Sequence, residues 1–247
     1  MSKRDNVALF PLVNFDSDVE KVNFNDDIIL RDIDSAELNR LKKTFPPFQS
    51  FLLRALHDVK YALEIKSEII IEGKPTPIFD VNMPEVRETI LSFRVLKTGD
   101  VTASCAFLLK QNQVAGLSQS SQSFFPYSKN PYYLKKEEIS ELKKIWEKVR
   151  KVENEKPDLR FPLFRFNKTF ESKDTNAIVE HITTFEALIF QGKKKPKKST
   201  GELIGTAIGN LIANNEQEKA EIKKKIIEAC KIRNALVHGD LEKIKKY

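Results

Sequence analysis

The residue types best suited to chemistry stand together near the end of the chain, in the segment RNALVH at 233–238. Its histidine, His238, can give or take a proton near neutral pH. Arg233 can clamp a phosphate and stabilise charge that develops on it, and Asn234 can orient the imidazole or bind a phosphate oxygen. These three side chains together are suited to acid–base chemistry on a phosphodiester.

The spacing of these residues predicts where each lies on a helix that runs into Gly239. Glycine is a natural left-handed cap, so His238 is expected in the last turn, where the helix dipole favours a protonated imidazole. Asn234 and His238 are four residues apart and share a face, whereas Arg233 lies about 140° around the helix from His238. Arg233 and His238 therefore meet only if the helix end opens or if a second chain brings its own copy.

The second half of the chain contains the helices that must position this segment. Apolar residues recur at helical spacing in three segments before the final helix at 217–237, namely 135–152, 174–190 and 202–213. The phenylalanine-rich segment 161–170 is predicted to begin a helix at Pro162, since proline is favoured in the first turn. The lysines at 223–225 are predicted to face solvent.

The first half has a different pattern, in which strands are prominent. Apolar, β-branched runs at 27–33 and 62–71 predict strands, and 35–41 predicts a short helix capped by Asp34 or Ser35. The runs at 88–96 and 101–109, joined by a turn, predict a β-hairpin. We therefore expect an α+β protein with a β-rich mixed domain at 1–134, a possible sensor, followed by a helical domain at 135–247.

The motif and the helices before it resemble the HEPN superfamily, whose mark is R-x-x-x-x-H, often with a polar residue after the arginine. Arg233, Asn234 and His238 match that mark. Upstream, FEALIF at 185–190 resembles the "LEALF" helix of the ApeA-like branch, with phenylalanine where the branch usually has leucine. The resemblance covers roughly residues 135–240, and 93–101 is weakly similar to the β-rich region that accompanies such domains.

This resemblance implies an all-α HEPN-like bundle and a ribonuclease of prokaryotic defence or toxin type. Family members cut single-stranded RNA without a metal, by attack of the 2′-hydroxyl on the adjacent phosphate, at one composite site made by two paired domains. The implied partners are thus RNA, a second copy of the chain, and an antitoxin or defence-system protein. His238 is then the general acid or base, Arg233 stabilises the pentacoordinate phosphate, Asn234 positions groups, and Glu186 is a candidate to hold Arg233 by a salt bridge.

Several of these residues also have a simpler structural interpretation, without a catalytic role. His238 could simply cap a backbone carbonyl, Arg233 could form a surface salt bridge, and Asn234 could lie on a solvated face. Glu186 is more often a structural ion-pair member than a catalytic residue. A basic loop follows at 193–198 and either holds RNA phosphates or is simply solvated; its lysines are Lys193, Lys194, Lys195, Lys197 and Lys198.

Composition sets the remaining expectations. The chain has 247 residues, a net charge of +7 and 40% hydrophobic residues, which suit a globular protein that tolerates a polyanionic partner. No apolar run reaches membrane-spanning length, the polar residues at 1–5 predict no secretory signal, and the two cysteines, Cys105 and Cys230, fit a reducing cytosol. We expect a cytoplasmic protein with no membrane partner, no metal site and no cofactor.

Two other functions remain open from the sequence. A catalytically inactive HEPN-like module could dimerise and bind RNA or a protein, with the β-rich half as its sensor. A nucleotide-handling enzyme is less favoured, because the chain has only 8 glycines and no phosphate-cradling glycine loop.

Overall fold

A computed structural model describes residues 6–44, 56–67, 83–103, 105–110, 113–119, 130–170, 175–190 and 199–240. The chain forms two compact units, Met1–Lys151 and Val152–Tyr247. The first contains an antiparallel sheet and the second is helical where described, so the expected α+β class with a β-rich first half is confirmed. None of the helices in these ranges is both long and apolar enough to cross a membrane.

The first unit contains nine described strands. They are β1 (Asn6–Val13), β2 (Phe15–Ser17), β3 (Lys21–Asn23), β4 (Ile28–Asp32), β5 (Tyr61–Ser67), β6 (Thr102–Ala103), β7 (Cys105–Lys110), β8 (Gln113–Gln119) and β9 (Tyr132–Leu134). The main sheet has antiparallel neighbours in the order β3-β4-β5-β1-β7-β8, with β6 paired to β1. A separate parallel pair joins β2 to β9. The predicted strand at 27–33 corresponds to β4, and the predicted strand at 62–71 corresponds to β5 up to residue 67, with 68–71 outside the described residues.

Both faces of the central strand β1 are buried, because successive side chains of a strand point to opposite faces. Leu9 packs in one cluster with Leu41 of helix α1 (Ser35–Lys42). Phe10 packs in the other cluster with Phe93 and Trp146. Helix α1 begins as predicted, with Asp34 accepting a hydrogen bond from the backbone N–H of Glu37 at 2.7 Å.

The predicted hairpin at 88–109 is wrong in its first half, which is helix α2 (Pro84–Leu96). Pro84 occupies the first turn, where its missing N–H costs nothing. Val86, Ile90 and Phe93 follow at helical spacing and are buried against the sheet. The 3–4 residue spacing and this packing outweigh the local β-propensity of the segment.

The long helix α3 (Ile139–Glu155) explains where the two units divide. Its first part belongs to the core of the first unit, where Leu142 and Trp146 are buried. The Trp146 indole also donates a hydrogen bond to Thr89 Oγ1 at 3.2 Å. The compact boundary therefore falls inside α3, after residue 151, and later than the division expected after 134.

The second unit consists, in its described residues, of the end of α3 and four more helices. These are α4 (Pro157–Thr169), α5 (Thr175–Phe190), α6 (Thr200–Ile212) and α7 (Glu216–His238). Helix α4 begins at Pro157, and Pro162 lies inside it, so the predicted start at Pro162 is wrong. The other three helices agree with the sequence-based boundaries to within two residues.

Helix α7 is held by close contact with α6. Gly201, Gly205 and Gly209 recur every four residues on α6 and face α7. A Cβ added at Gly205 would lie 3.0 Å from both the Cα and the carbonyl oxygen of Lys223, so glycine lets the two backbones approach. Cys230 of α7 is buried in the same core, its thiol is free, and burial raises its pKa.

Candidate functional site

The candidate site lies at the C-terminal end of α7. The helix ends at His238, and Gly239 follows in the left-handed conformation, with φ of 68°. The backbone N–H of Gly239 donates to Leu236 at 3.3 Å, and that of Asp240 donates to Ala235 at 2.9 Å, which satisfies two terminal carbonyls. The predicted glycine cap is confirmed, and His238 occupies the last turn.

Arg233 pairs with Glu186 of α5. Its Nη2 donates to Glu186 Oε1, and the two side chains are only 18% and 15% exposed. The Arg233 Nε is also buried, without a hydrogen-bond partner. The ion pair that the sequence suggested is therefore present, and it ties α7 to α5 and fixes the guanidinium in a half-buried place.

His238 and Asn234 lie on the exposed part of α7. Beside them Val237 is 58% exposed, an unusual position for a large aliphatic side chain. The structure thus brings Glu186 to Arg233 and keeps Asn234 and His238 on one accessible surface. Within one chain, however, no hydrogen bond or ion pair joins Arg233 to His238, in keeping with their separation of about 140° on the helix.

Positive charge is concentrated in the unit that contains this site. Residues 152–247 include 19 Lys and Arg against 14 Asp and Glu, and so contribute +5 of the net +7. The basic loop at 193–198, with Lys193, Lys194, Lys195, Lys197 and Lys198, lies outside the described residues. In the ranges that are described, no group of three His, Cys, Asp or Glu side chains is placed to hold a metal ion.

One feature of α7 was missed by the sequence analysis, which treated the lysines at 223–225 as solvent-facing only. A groove of about 420 Å³ runs along this helix. Its described lining is Ala220, Lys223, Lys224, Ile227, Glu228 and Lys231. The seven-residue spacing of Lys224, Lys231 and His238 was the available signal, since residues seven apart return to one helix face.

Comparisons with known proteins do not assign this site. No protein-family model, no characterised protein and no solved structure matches the chain. What the site can do must therefore be inferred from its own side chains and their places on α5 and α7.

Proposed function

We propose that the chain is a metal-independent endoribonuclease of the HEPN type, which cuts single-stranded RNA at a site shared by two copies of α7. The observation that carries the proposal is the arrangement at the end of this helix. A half-buried carboxylate holds Arg233, while Asn234 and His238 stay accessible beside a glycine cap. A fixed cation near an accessible proton donor or acceptor is what phosphodiester cleavage requires.

The reaction needs two proton transfers and one centre of positive charge at each cut. The 2′-hydroxyl loses its proton as its oxygen bonds to phosphorus, and the bond from phosphorus to the 5′-oxygen breaks. The products are a cyclic phosphate and a 5′-hydroxyl, whose oxygen takes up a proton. The His238 imidazole serves as the acid or the base in one of these transfers, and water exchanges the other proton. Arg233 stabilises the charge on the pentacoordinate phosphate.

Two chains are required because of where α7 places these groups. Arg233 is directed to Glu186, away from the surface that carries His238. In a two-fold interface, residue i of one chain meets residue j of the other and the reverse. An interface that includes both the Arg233 side and the His238 side of the α7 end therefore lets the Arg233 of one chain face the His238 of the other. The exposed Val237 beside His238 supplies apolar area for such a contact.

The proposal extends to the setting of the enzyme. We place it in the cytoplasm, in prokaryotic defence or toxicity, with an antitoxin or a defence-system protein as a further partner. This part is supported by the resemblance of 185–190 and 233–238 to HEPN proteins.

The purified chain is expected to cleave single-stranded RNA in the presence of EDTA, because no step requires a metal. The 5′ fragments should end in a cyclic phosphate, and the 3′ fragments should begin with a 5′-hydroxyl. A substrate with a single 2′-deoxy sugar at the cut should resist cleavage there. Loss of activity in EDTA that Mg²⁺ restores, or cleavage of the 2′-deoxy substrate, would contradict the proposal.

A second function, an inactive module that dimerises and binds RNA or protein, has its own supporting observation. Phe161 and Phe164 lie one turn apart on α4 and are 50% and 46% exposed, as expected of a binding surface. A stable dimer that cleaves no RNA in the same assay would favour this function over the nuclease.

A further inference from the structure

The face of α7 that ends in His238 carries a continuous strip of residues. Successive members are alternately four and three residues apart. Around the helix axis, all of them therefore lie within about 40° of the direction of His238. The strip consists of Ala220, Lys224, Ile227, Lys231, Asn234 and His238. Its two lysines are exposed and Ile227 is half-buried.

The N-terminal part of this strip, from Ala220 to Lys231, lines the groove on α7. The groove's described lining contains three lysines and a single glutamate, Glu228, so it presents a net positive charge. Ala220 and Ile227 add aliphatic surface between the charged groups. A groove of this kind fits a strand with regularly spaced negative charges and apolar surface between them.

We propose that this groove binds the sugar–phosphate backbone of the RNA strand that is cut at His238, with Lys224 and Lys231 contacting its phosphates. The inference rests on the proposed ribonuclease function and names where the substrate runs. It assigns to the strip a binding role, distinct from the chemistry of Arg233 and His238.

The spacing along α7 agrees with such a strand. Lys224, Lys231 and His238 are seven residues apart in turn, which is about 10.5 Å per step. A stacked strand advances about 3.4 Å per nucleotide, so each step spans about three nucleotides. With the scissile phosphate at His238, Lys231 meets a phosphate about three nucleotides away, and Lys224 one about six nucleotides away.

Charge also favours RNA over a second protein chain as the occupant. In a two-fold pair that buried this groove, each copy would bring its own lysines toward the same region. Like charges brought together in this way destabilise a contact, whereas a polyanion neutralises them and releases its counterions. The dimer contact is therefore expected near Val237, and the groove is expected to stay open to RNA.

The test compares two double variants of equal charge in a His238→Ala background, which permits binding without cleavage. The strip variant is Lys224→Ala/Lys231→Ala. The control is Lys225→Ala/Lys156→Ala, which removes two exposed lysines of the same unit that are off the strip. Lys224, Lys225 and Lys231 are exposed helix positions, where alanine is a good helix former. Lys156 is exposed and its side chain makes no capping hydrogen bond, so folding should be preserved in both variants.

Binding of a labelled single-stranded RNA is measured by anisotropy at several salt concentrations. The slope of log K against log salt should become shallower by about 1.4 for the strip variant, since each single-strand phosphate contact contributes about 0.7. The control should keep the parental slope. With RNA too short to extend about three nucleotides from the cut along the groove, neither lysine meets a phosphate, so the strip and control variants should bind alike.

The same substitutions are then made in the chain with His238 intact. The strip variant should raise KM and leave kcat unchanged, because the lost contacts are equal in the ground and transition states.

If RNA is cleaved but the strip and control variants bind it alike, the groove inference fails and the ribonuclease proposal stands. If the strip variant loses its dimer, a second copy occupies the groove and the inference is overturned. If the strip controls binding but no RNA is ever cut, the ribonuclease proposal fails instead.

Discussion

Replacing His238 with alanine is expected to slow RNA cleavage by about 10²- to 10⁴-fold, the range that a positioned general acid or base contributes. The measurement is the single-turnover rate at saturating RNA. His238 is exposed in the last turn of α7, so its removal should leave the unfolding transition unchanged. His181→Ala, which removes the other histidine of this unit, is the matched control and should cleave at the parental rate.

Arg233→Ala is expected to cause a loss of about 10²- to 10³-fold, as for removal of one transition-state donor. Arg233→Lys should recover little, because an ammonium cannot reproduce the planar guanidinium at both Glu186 and a phosphate. Asn234→Ala should slow cleavage less than His238→Ala or Arg233→Ala does, since Asn234 only positions groups. Rapid cleavage that survives both His238→Ala and Arg233→Ala would contradict the assigned chemistry.

Glu186→Ala is expected to lower the free energy of unfolding by about 2–3 kcal/mol, because it leaves the half-buried Arg233 without its partner. Urea denaturation measures this loss. Cleavage should fall as well, since the guanidinium is then no longer fixed. Glu186→Gln, which keeps a hydrogen-bond acceptor, should cost less in both respects.

The chain provides a control for this substitution on the same helix. Glu180 of α5 accepts two hydrogen bonds from Arg165 Nη1, at 3.0 and 2.9 Å. Glu180→Ala should also destabilise the unit, but it should leave the cleavage rate of the folded protein unchanged. A Glu186→Ala protein that cleaves RNA as well as Glu180→Ala would show that Glu186 is structural only.

The elements that can be predicted from the sequence are those determined by residues close to them in the chain. The final helix was predicted at 217–237 and is Glu216–His238, because its apolar period and Gly239 mark it without reference to the rest of the chain. Asp34 as a helix cap and the strand β4 were predictable for the same reason.

What the sequence could not supply depends on packing. Local β-propensity predicts a strand at 88–96, but these residues belong to helix α2, because Ile90 and Phe93 are buried in the core of the first unit. The division between the units required knowing that Trp146 packs with β-sheet residues. At the candidate site, the sequence predicts that Asn234 lies beside His238 and suggests the Glu186–Arg233 pair that the fold contains. Only the fold shows that a groove follows the lysines of α7.

The measurement that bears most directly on the shared site is made on a mixture of two inactive chains, His238→Ala and Arg233→Ala. Each is expressed with a different affinity tag, and the mixed dimer is isolated through both tags. In that dimer one chain supplies Arg233 and the other supplies His238, so one of the two equivalent arrangements is intact. We predict that the mixed dimer cleaves RNA in EDTA while neither parent does. A mixed dimer that stays as inactive as its parents would contradict a site completed by two copies of α7.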